Sequence, residues 1–215
     1  MRMLDLCCGR LGWAKVFAAR GWKVVAIDLV EPPEIPDGVH FVMRDVLGIA
    51  KGEIKSSRYD FICASSPCEQ FSVHGMKHFH SNPPYPEMGI RLFNHIRTIC
   101  EASSVPYVME NVRAAQDFVG KAVSHCGPFY LWGNAVPPLL PLGISKGISH
   151  RVPGIETMTR AEITAWRREN DPMWSSSKSK KRREATAKAA TIPPELANCV
   201  ADYAQQLIAM EELAK

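Results

Sequence analysis

The sequence predicts an α/β protein built on an open, mostly parallel sheet with helices on both faces. Short apolar runs alternate with helical stretches, each run ends in or just before a polar residue, and glycines follow the first run at once. Parallel strands are buried on both faces and bring their carboxyl ends to one edge of the sheet. We therefore expect a ligand site at that edge.

The elements can be assigned in chain order. The predicted strands are Met3–Leu6, Lys23–Ile27, His40–Met43, Tyr59–Ala64 and Val105–Met109. The predicted helices are Ala14–Arg20, Gly89–Ala102 and a C-terminal helix from Glu195 to about Leu213. That last helix should pack on the core, because Leu196, Val200, Tyr203 and Leu207 recur at helical spacing.

A change of composition divides the chain. Residues 143–190 are rich in Ser, Lys and Arg with scattered Trp, and they show weak periodicity. We predict one main domain formed by residues 1–142 and 191–215, and a small irregular basic lobe formed by residues 143–190. The basic run at 178–183 is either a solvated loop or a contact for phosphates.

Composition excludes several classes of protein. The chain has 215 residues, enough for one sizeable core, and its net charge of +4 suits a polyanionic partner without requiring one. Seven cysteines with no Cys-x-x-Cys pair argue against a secreted disulfide framework. No apolar run approaches the roughly 20 residues that cross a bilayer. We expect a soluble, cytoplasmic, monomeric protein.

Carboxylates stand at three successive strands and predict a cofactor pocket. Asp5 opens the Gly-rich turn to Gly12, Asp28 ends the second strand, and Asp45 follows the third. Asp28 could accept both ribose hydroxyls and Asp45 an adenine amino group. Each acid alone is more simply a helix cap or a loop residue. A dinucleotide is the competing ligand, but G-x-G-x-x-G is absent, so a compact adenosyl ligand fits better.

A cysteine and a glutamate follow the next two strands. Cys68 comes after Pro67 at a strand end, where a thiolate can be exposed, and Glu110 closes the neighbouring strand. Together they provide a nucleophile and an acid that can hold one flat ring between them. A buried structural role suits Cys63 and Cys100 better, and Cys7 and Cys8 lie in the cofactor turn.

The order of these motifs resembles the DNA (cytosine-5) methyltransferases, in their short phage and prophage forms. The shared motifs are Asp5-Leu6-x-x-Gly9-x-x-Gly12, Ser65-Ser66-Pro67-Cys68-Glu69-Gln70-Phe71-Ser72 and Glu110-Asn111-Val112, then the regions 126–134 and 191–197. The resemblance implies a Rossmann-like fold that uses S-adenosylmethionine. It also implies that Cys68 attacks carbon 6 of a flipped-out cytosine in DNA while Glu110 binds nitrogen 3 and the exocyclic amine, which makes carbon 5 accept the methyl group.

The predicted site residues fall into three groups. The catalytic group is Cys68, Glu110 and Arg113. The S-adenosylmethionine group is Asp5, Cys7, Gly9, Gly12, Asp28, Leu29, Asp45, Val46, Ser65 and Pro67. The nucleic-acid group is Gln70, Ser72, His74, Lys77, Arg151, Lys180, Lys181 and Arg182. The three histidines of the loop 74–82 favour solvent exposure over a metal site, so no metal is predicted.

Departures from the family pattern keep alternatives open. Glu69 stands where the family usually has Gln, and Ser66 where it often has Pro. The family's arginine motif after Glu-Asn-Val is not recognisable, and Arg113, Arg151, Arg167 and Arg168 are candidates to replace it. The recognition region is short, so specificity is relaxed or comes from a partner protein. Trp166 and Trp174 either stack on bases or form the lobe's own core.

Three other functions remain open from the sequence. The substrate could be RNA instead of DNA. The donor could be a charged derivative of S-adenosylmethionine, with Arg10 as the neighbouring cation. The chain could also be a catalytically degenerate relative that binds DNA and assists a partner.

Overall fold

A single mostly parallel sheet organises the main part of the molecule. The computed structural model describes residues 1–55, 58–72, 85–144, 157–171 and 179–214. Among these residues, seven strands form one sheet in the order β3-β2-β1-β4-β5-β7-β6. The strands are β1 (Arg2–Leu6), β2 (Lys23–Asp28), β3 (Val39–Met43), β4 (Phe61–Ser65), β5 (Tyr107–Asn111), β6 (Ser124–Cys126) and β7 (Phe129–Trp132).

The parallel register brings the polar strand ends to one edge. Leu4 of β1 pairs with Val25 of β2 and with Ile62 of β4, and all three pairs of neighbours from β3 to β4 run parallel. Strand β4 pairs in parallel with β5, and that ladder ends at Ser65 opposite Glu110. Among the described strands, only β7 is antiparallel to its neighbours, which are β5 and β6.

Helices cover both faces of this sheet. In the same compact unit as the sheet they are α1 (Gly12–Ala19), α2 (Glu87–Ser103), α3 (Gln116–Val119) and α6 (Pro194–Leu213), whereas α4 (Arg160–Asn170) and α5 (Lys180–Ala190) belong to the second unit described below. One core combines α1 and α6 with the sheet side chains Met3, Val24 and Phe61. The other core packs α2 against Leu4 and Ile62. The C-terminal helix therefore packs on the core as the sequence predicts, through Leu196, Val200 and Leu207, whereas the predicted Tyr203 is half-buried and outside the described core.

A junction between α1 and α6 joins the two ends of the chain. The Arg20 guanidinium donates to Asn198 Oδ1 from Nε (3.1 Å) and Nη2 (2.8 Å), and it pairs with Asp202 through Nη1. At the other end of α1, Gly12 lies directly against Ile192, which precedes α6. Prolines at 193 and 194 start α6 without losing a needed backbone donor.

The chain divides into two compact units, residues 1–144 with 192–215 and residues 145–191. In the second unit α4 begins with a capping box, in which Thr159 accepts from Glu162 N and the Glu162 side chain accepts from Thr159 N. Helix α5 contains the basic run and the alanines 185, 187, 189 and 190. The expectation of an irregular lobe is therefore corrected for its described part, since alanine favours helix enough to carry the run of cations.

The predicted α/β fold is confirmed, with the five predicted strands displaced by no more than two residues at either end. The hairpin of β6 and β7 was not predicted. Within the described residues, none of the helices has the length and apolar character that crossing a bilayer requires.

Candidate active site

The turn after β1 adopts conformations that few side chains tolerate. Cys7 (φ 56°), Gly9 (φ 50°) and Leu11 (φ 61°) all lie in the left-handed region. Two backbone bonds hold the turn, from Cys8 N to Ile27 O (3.1 Å) and from Leu11 N to Cys8 O (2.8 Å). Non-glycine residues have a conformational cost there, and such strain is concentrated at ligand sites.

Asp5 connects this turn to the start of α1. Its Oδ2 accepts from Ala14 N at 3.2 Å, so the carboxylate acts as a cap for a helix whose own cap residue, Leu11, supplies none. The side chain is completely buried, and its Oδ1 has no hydrogen-bond partner among the described residues. Burial, opposed by the Ala14 N–H and assisted by the Asp28 carboxylate, raises the pKa of Asp5 well above its ordinary value.

The other two predicted carboxylates both bind backbone donors. Asp28 Oδ2 accepts from Gly9 N at 2.9 Å, and its Oδ1 accepts from Val30 N at 3.2 Å. Asp28 thus holds the Gly-rich turn beside the end of β2. Asp45 Oδ1 accepts from Leu47 N at 2.9 Å and caps a short 3₁₀ turn, Val46–Gly48.

The space around the turn fits an adenosyl cofactor. A Cβ built on Gly9 would meet nothing within 4 Å, so a ligand can approach the backbone there. Leu29 and Met43 are each 63% exposed just past β2 and at the end of β3, where apolar side chains can flank a flat ring. Val46 is buried in the interior and offers its backbone instead, with its carbonyl 3.1 Å from His95 Nε2.

Burial raises the pKa of six of the cysteine thiols, which are those of Cys7, Cys8, Cys63, Cys100, Cys126 and Cys199. Burial, together with nearby carboxylates that include Asp5 and Asp28, raises the pKa of the Cys7 and Cys8 thiols. Burial also raises the pKa of Cys63, and it raises the pKa of Cys100 to about 12. A raised pKa favours the protonated thiol, which is a poorer nucleophile than the thiolate.

Cys68 lies in a segment fixed by hydrogen bonds on both sides. Its side chain is half-buried, and its carbonyl accepts from Phe71 N (3.1 Å) and Ser72 Oγ (2.9 Å). Before it, Asn111 Nδ2 donates to the Ser66 carbonyl and hydroxyl, both at 2.9 Å. The β4–β5 ladder ends at Glu110, and Cys68 follows that end of the ladder on the other strand, so the structure brings both residues to the same edge.

The remaining predicted catalytic, cofactor and nucleic-acid residues differ in how far they are exposed. Arg113 is exposed in a 3₁₀ turn soon after β5, and Pro67 is exposed beside Cys68. Gln70 is half-buried, with its Cβ 2.7 Å from the position a Cβ on Gly89 would take. Lys180 and Lys181 are exposed on α5. His74, Lys77, Arg151 and the Arg182 side chain lie outside the described residues.

Sequence reasoning missed three residues that contact the site. Trp13 Nε1 donates to Ser65 Oγ at 2.9 Å, which turns the predicted cofactor contact Ser65 towards α1. Asn111 belongs to the Glu110-Asn111-Val112 motif, and the sequence analysis assigns it no role. His95 contacts the turn after Asp45 from α2. His95 could have been found from the sequence, because it is a polar residue on the face of a helix that otherwise packs on the sheet.

This arrangement is an α/β fold in which a Gly-rich turn with neighbouring carboxylates lies at the same edge of the sheet as Glu110 and the segment that carries Cys68. The family model for C-5 cytosine-specific DNA methylases matches residues 1–124, more than half of the chain. The chain belongs to this family. Its members take their methyl group from S-adenosylmethionine, so the predicted cofactor is confirmed at the level of the family.

Solved structures show only partial likeness to the chain. The 1,6-didemethyltoxoflavin-N1-methyltransferase of Burkholderia thailandensis, solved with S-adenosylhomocysteine, is 18% identical, with 61% of this chain and 53% of that one covered at a TM-score of 0.33. The PH0226 protein of Pyrococcus horikoshii OT3 is 18% identical, with 57% and 55% covered at 0.34. The chain thus spans about half the length of these proteins. Among curated proteins none matches.

Proposed function

We propose that the protein methylates carbon 5 of cytosine in DNA through a transient covalent bond to Cys68. The observation that carries the proposal is the β4–β5 pairing. Ser65 stands opposite Glu110 in that parallel ladder, so the segment with Cys68 and the strand with Glu110 leave the sheet at the same edge. Family membership supports the same chemistry.

The proposed mechanism uses these two side chains on one flipped-out base. The Cys68 thiolate bonds to carbon 6, while Glu110 hydrogen-bonds nitrogen 3 and the exocyclic amine and so stabilises the charge that moves into the ring. Carbon 5 becomes nucleophilic and accepts the methyl group. A water molecule then takes the carbon 5 proton as the Cys68 thiolate leaves carbon 6, which restores the double bond between carbons 5 and 6.

S-adenosylmethionine supplies an electrophilic methyl group in this reaction. Of this chain's residues, Gly9 leaves room for the ligand, Asp28 is proposed to bind the ribose and Asp45 the adenine, with Leu29 beside the ring. The carboxylate of Asp28 accepts one backbone bond at each oxygen. A carboxylate oxygen has two lone pairs, so each can accept a ribose hydroxyl as well.

The distribution of charge supports a polyanionic substrate. Helix α5 has five Lys or Arg residues and one Glu, a net charge of +4 that equals the net charge of the whole chain. The other residues therefore contain 21 positive and 21 negative side chains, from totals of 26 and 22. Phosphate contacts from α5 would bind the nucleic acid without reading its sequence.

Trapping with DNA that contains 5-fluorocytosine tests the proposal. Fluorine at carbon 5 prevents the final elimination, so the wild-type protein with S-adenosylmethionine should form a stable covalent adduct. Cys68→Ser should form none, whereas Cys199→Ser, at another partly buried cysteine, should react like the wild type.

Mass spectrometry of nucleosides from treated DNA and RNA completes the experiment. We expect 5-methylcytosine in DNA. Modification of RNA alone would establish the RNA alternative, and a heavier group on carbon 5 would establish a modified donor. DNA binding with no adduct from any variant would refute the enzymatic proposal in favour of a degenerate binding protein.

A further inference from the structure

Two consecutive serines connect β4 to the segment of Cys68. Ser65 is the last residue of β4 and of its ladder with β5, and Ser66 follows it. Backbone that has left a ladder has free φ and ψ angles unless other bonds hold it. The segment before Cys68 therefore needs another constraint in this chain if the sulfur is to keep a fixed position.

Asn111 provides that constraint. Its Nδ2 donates to the carbonyl oxygen of Ser66 and to the Ser66 hydroxyl, both at 2.9 Å, and its Oδ1 accepts from Val112 N at 2.8 Å. Because the oxygen already faces an N–H donor, the amide can point only its nitrogen at Ser66. Asn111 is completely buried and Ser66 is 6% exposed, so water competes little for these bonds.

The contact between Asn111 and Ser66 lies directly beyond the end of the β4–β5 ladder. The β4–β5 register ends with Ser65 opposite Glu110, and Ser66 and Asn111 are the next residues on each strand. The side-chain contact therefore continues the pairing of the two strands one step beyond their backbone bonds. It lies between Glu110 on one strand and Cys68, two residues further on, on the other.

A second tether reaches the same segment from α1. Trp13 Nε1 donates to Ser65 Oγ at 2.9 Å, and Trp13 is 1% exposed. Trp13 follows Gly12, the last glycine of the cofactor turn. The two hydroxyls thus connect the nucleophile segment to the strand of Glu110 and to the helix that begins at the cofactor turn.

We propose that Ser66 is a positioning residue that, through Asn111, sets the distance between the Cys68 sulfur and the Glu110 carboxylate. The inference rests on the proposed function, because it concerns the geometry of that reaction. Ser66 itself does not touch the base. Its hydroxyl holds the segment by accepting a hydrogen bond from Asn111 of the neighbouring strand.

Ser66→Ala tests the role of the hydroxyl, and Ser103→Ala is its matched control. Ser103 is another buried serine, 5% exposed, whose hydroxyl donates to Cys100 O and accepts from Val105 N before the amino end of β5. The readouts are the rate of adduct formation on 5-fluorocytosine DNA at saturating DNA and donor, and the S-adenosylmethionine Kd by calorimetry.

We expect Ser66→Ala to slow adduct formation between about threefold and about tenfold, the effect of losing one neutral hydrogen bond in the reacting geometry. Its Kd for S-adenosylmethionine should not change. Ser66→Thr, which keeps the hydroxyl, should restore most of the rate, and Ser103→Ala should react like the wild type.

The possible failures are distinguishable. Wild-type rates in Ser66→Ala would overturn this inference and leave the proposed function intact. Equal slowing in Ser66→Ala and Ser103→Ala would indicate a general loss of stability and would also overturn it. If Ser66→Thr is as slow as Ser66→Ala, the hydroxyl does not set the rate, and this inference is overturned. Absence of any adduct in the wild-type protein would overturn the proposed function itself.

Discussion

Gly12→Ala should destabilise the protein, because the new methyl group has no space. A Cβ at this position would lie 2.8 Å from both Cβ and N of Ile192 and 3.0 Å from Ile192 O. The carbon–carbon contact is about 0.7 Å shorter than the roughly 3.5 Å at which such atoms attract best. Two of the three atoms belong to the backbone before α6, which cannot simply rotate away.

The magnitude follows from two opposing effects. Overpacking of a rigid site costs about 1–3 kcal/mol, and replacing glycine with alanine within a helix returns at most about 1 kcal/mol. Because two of the close contacts are with backbone, we take the upper part of the overpacking range, about 2–3 kcal/mol, and after subtracting the helix gain we expect a loss of about 1–2 kcal/mol in the free energy of unfolding. For a protein of this length the melting temperature should fall by about 2–8 °C.

Thermal unfolding without cofactor measures this effect, and two other glycines provide controls. Gly48 has no atom within 4 Å of a built Cβ, so Gly48→Ala should leave the melting temperature unchanged or raise it slightly. Gly9 also has open space, but its φ is 50°, and its Cβ would enter the proposed cofactor site. Gly9→Ala should therefore weaken S-adenosylmethionine binding more than Gly12→Ala does. A Gly12→Ala protein as stable as Gly48→Ala would refute the reasoning.

Three more predictions concern charge. Asp28→Ala should weaken the binding of S-adenosylmethionine at least tenfold, as measured by calorimetry. Asp60→Ala removes a carboxylate that accepts from Arg2 N at the opposite edge of the sheet, and it should not weaken this binding. Equal affinities of the two variants would show that Asp28 is not part of the site. The raised pKa of Asp5 means that its contribution to stability is full below the ordinary value and disappears as pH rises towards the raised one, by up to about 1.4 kcal/mol per pH unit. Unfolding of Asp5→Asn should lack that part of the pH dependence, and identical profiles would contradict the assignment. Replacing Lys180, Lys181 and Lys188 of α5 with Gln should make DNA binding less salt-dependent. The slope of log affinity against log salt concentration should become shallower by about 0.9 for each phosphate that is no longer neutralised. Replacing Lys51, Lys55 and Lys121 of the first unit with Gln removes the same charge and should not change that slope.

The parallel half of the sheet could be predicted because its physical cause is visible in the sequence. Strands buried on both faces need continuous apolar runs, such as 23–27 and 61–64, and each run ends where polar residues meet at one edge. The hairpin of β6 and β7 escaped because β6 has only three residues, Ser124–Cys126, and its support comes from pairing with β7. A strand that is stabilised mainly by pairing with its neighbour has little pattern in its own sequence by which it could be predicted.

The sequence places the candidate residues on particular elements, and their contacts could not be predicted from it. Cys68, Glu110 and Asp28 could be selected because each stands at or just after the end of a strand. The direction of the Asn111 amide depends on the register of β4 and β5, which no local pattern specifies. Helix α5 was missed because its cations suggested a loop, although its alanines, at 185, 187, 189 and 190, favour helix.

The pairing of α1 with α6 has a consequence for synthesis of the protein. Arg20 contacts Asn198, 178 positions later, and Gly12 contacts Ile192. At about 5–20 residues per second, a ribosome needs roughly 10–40 s to produce the second helix after the first. During that interval α6 cannot yet pack on the apolar side of α1, which includes Phe17. We therefore expect chaperones that recognise exposed hydrophobic segments to bind the nascent chain.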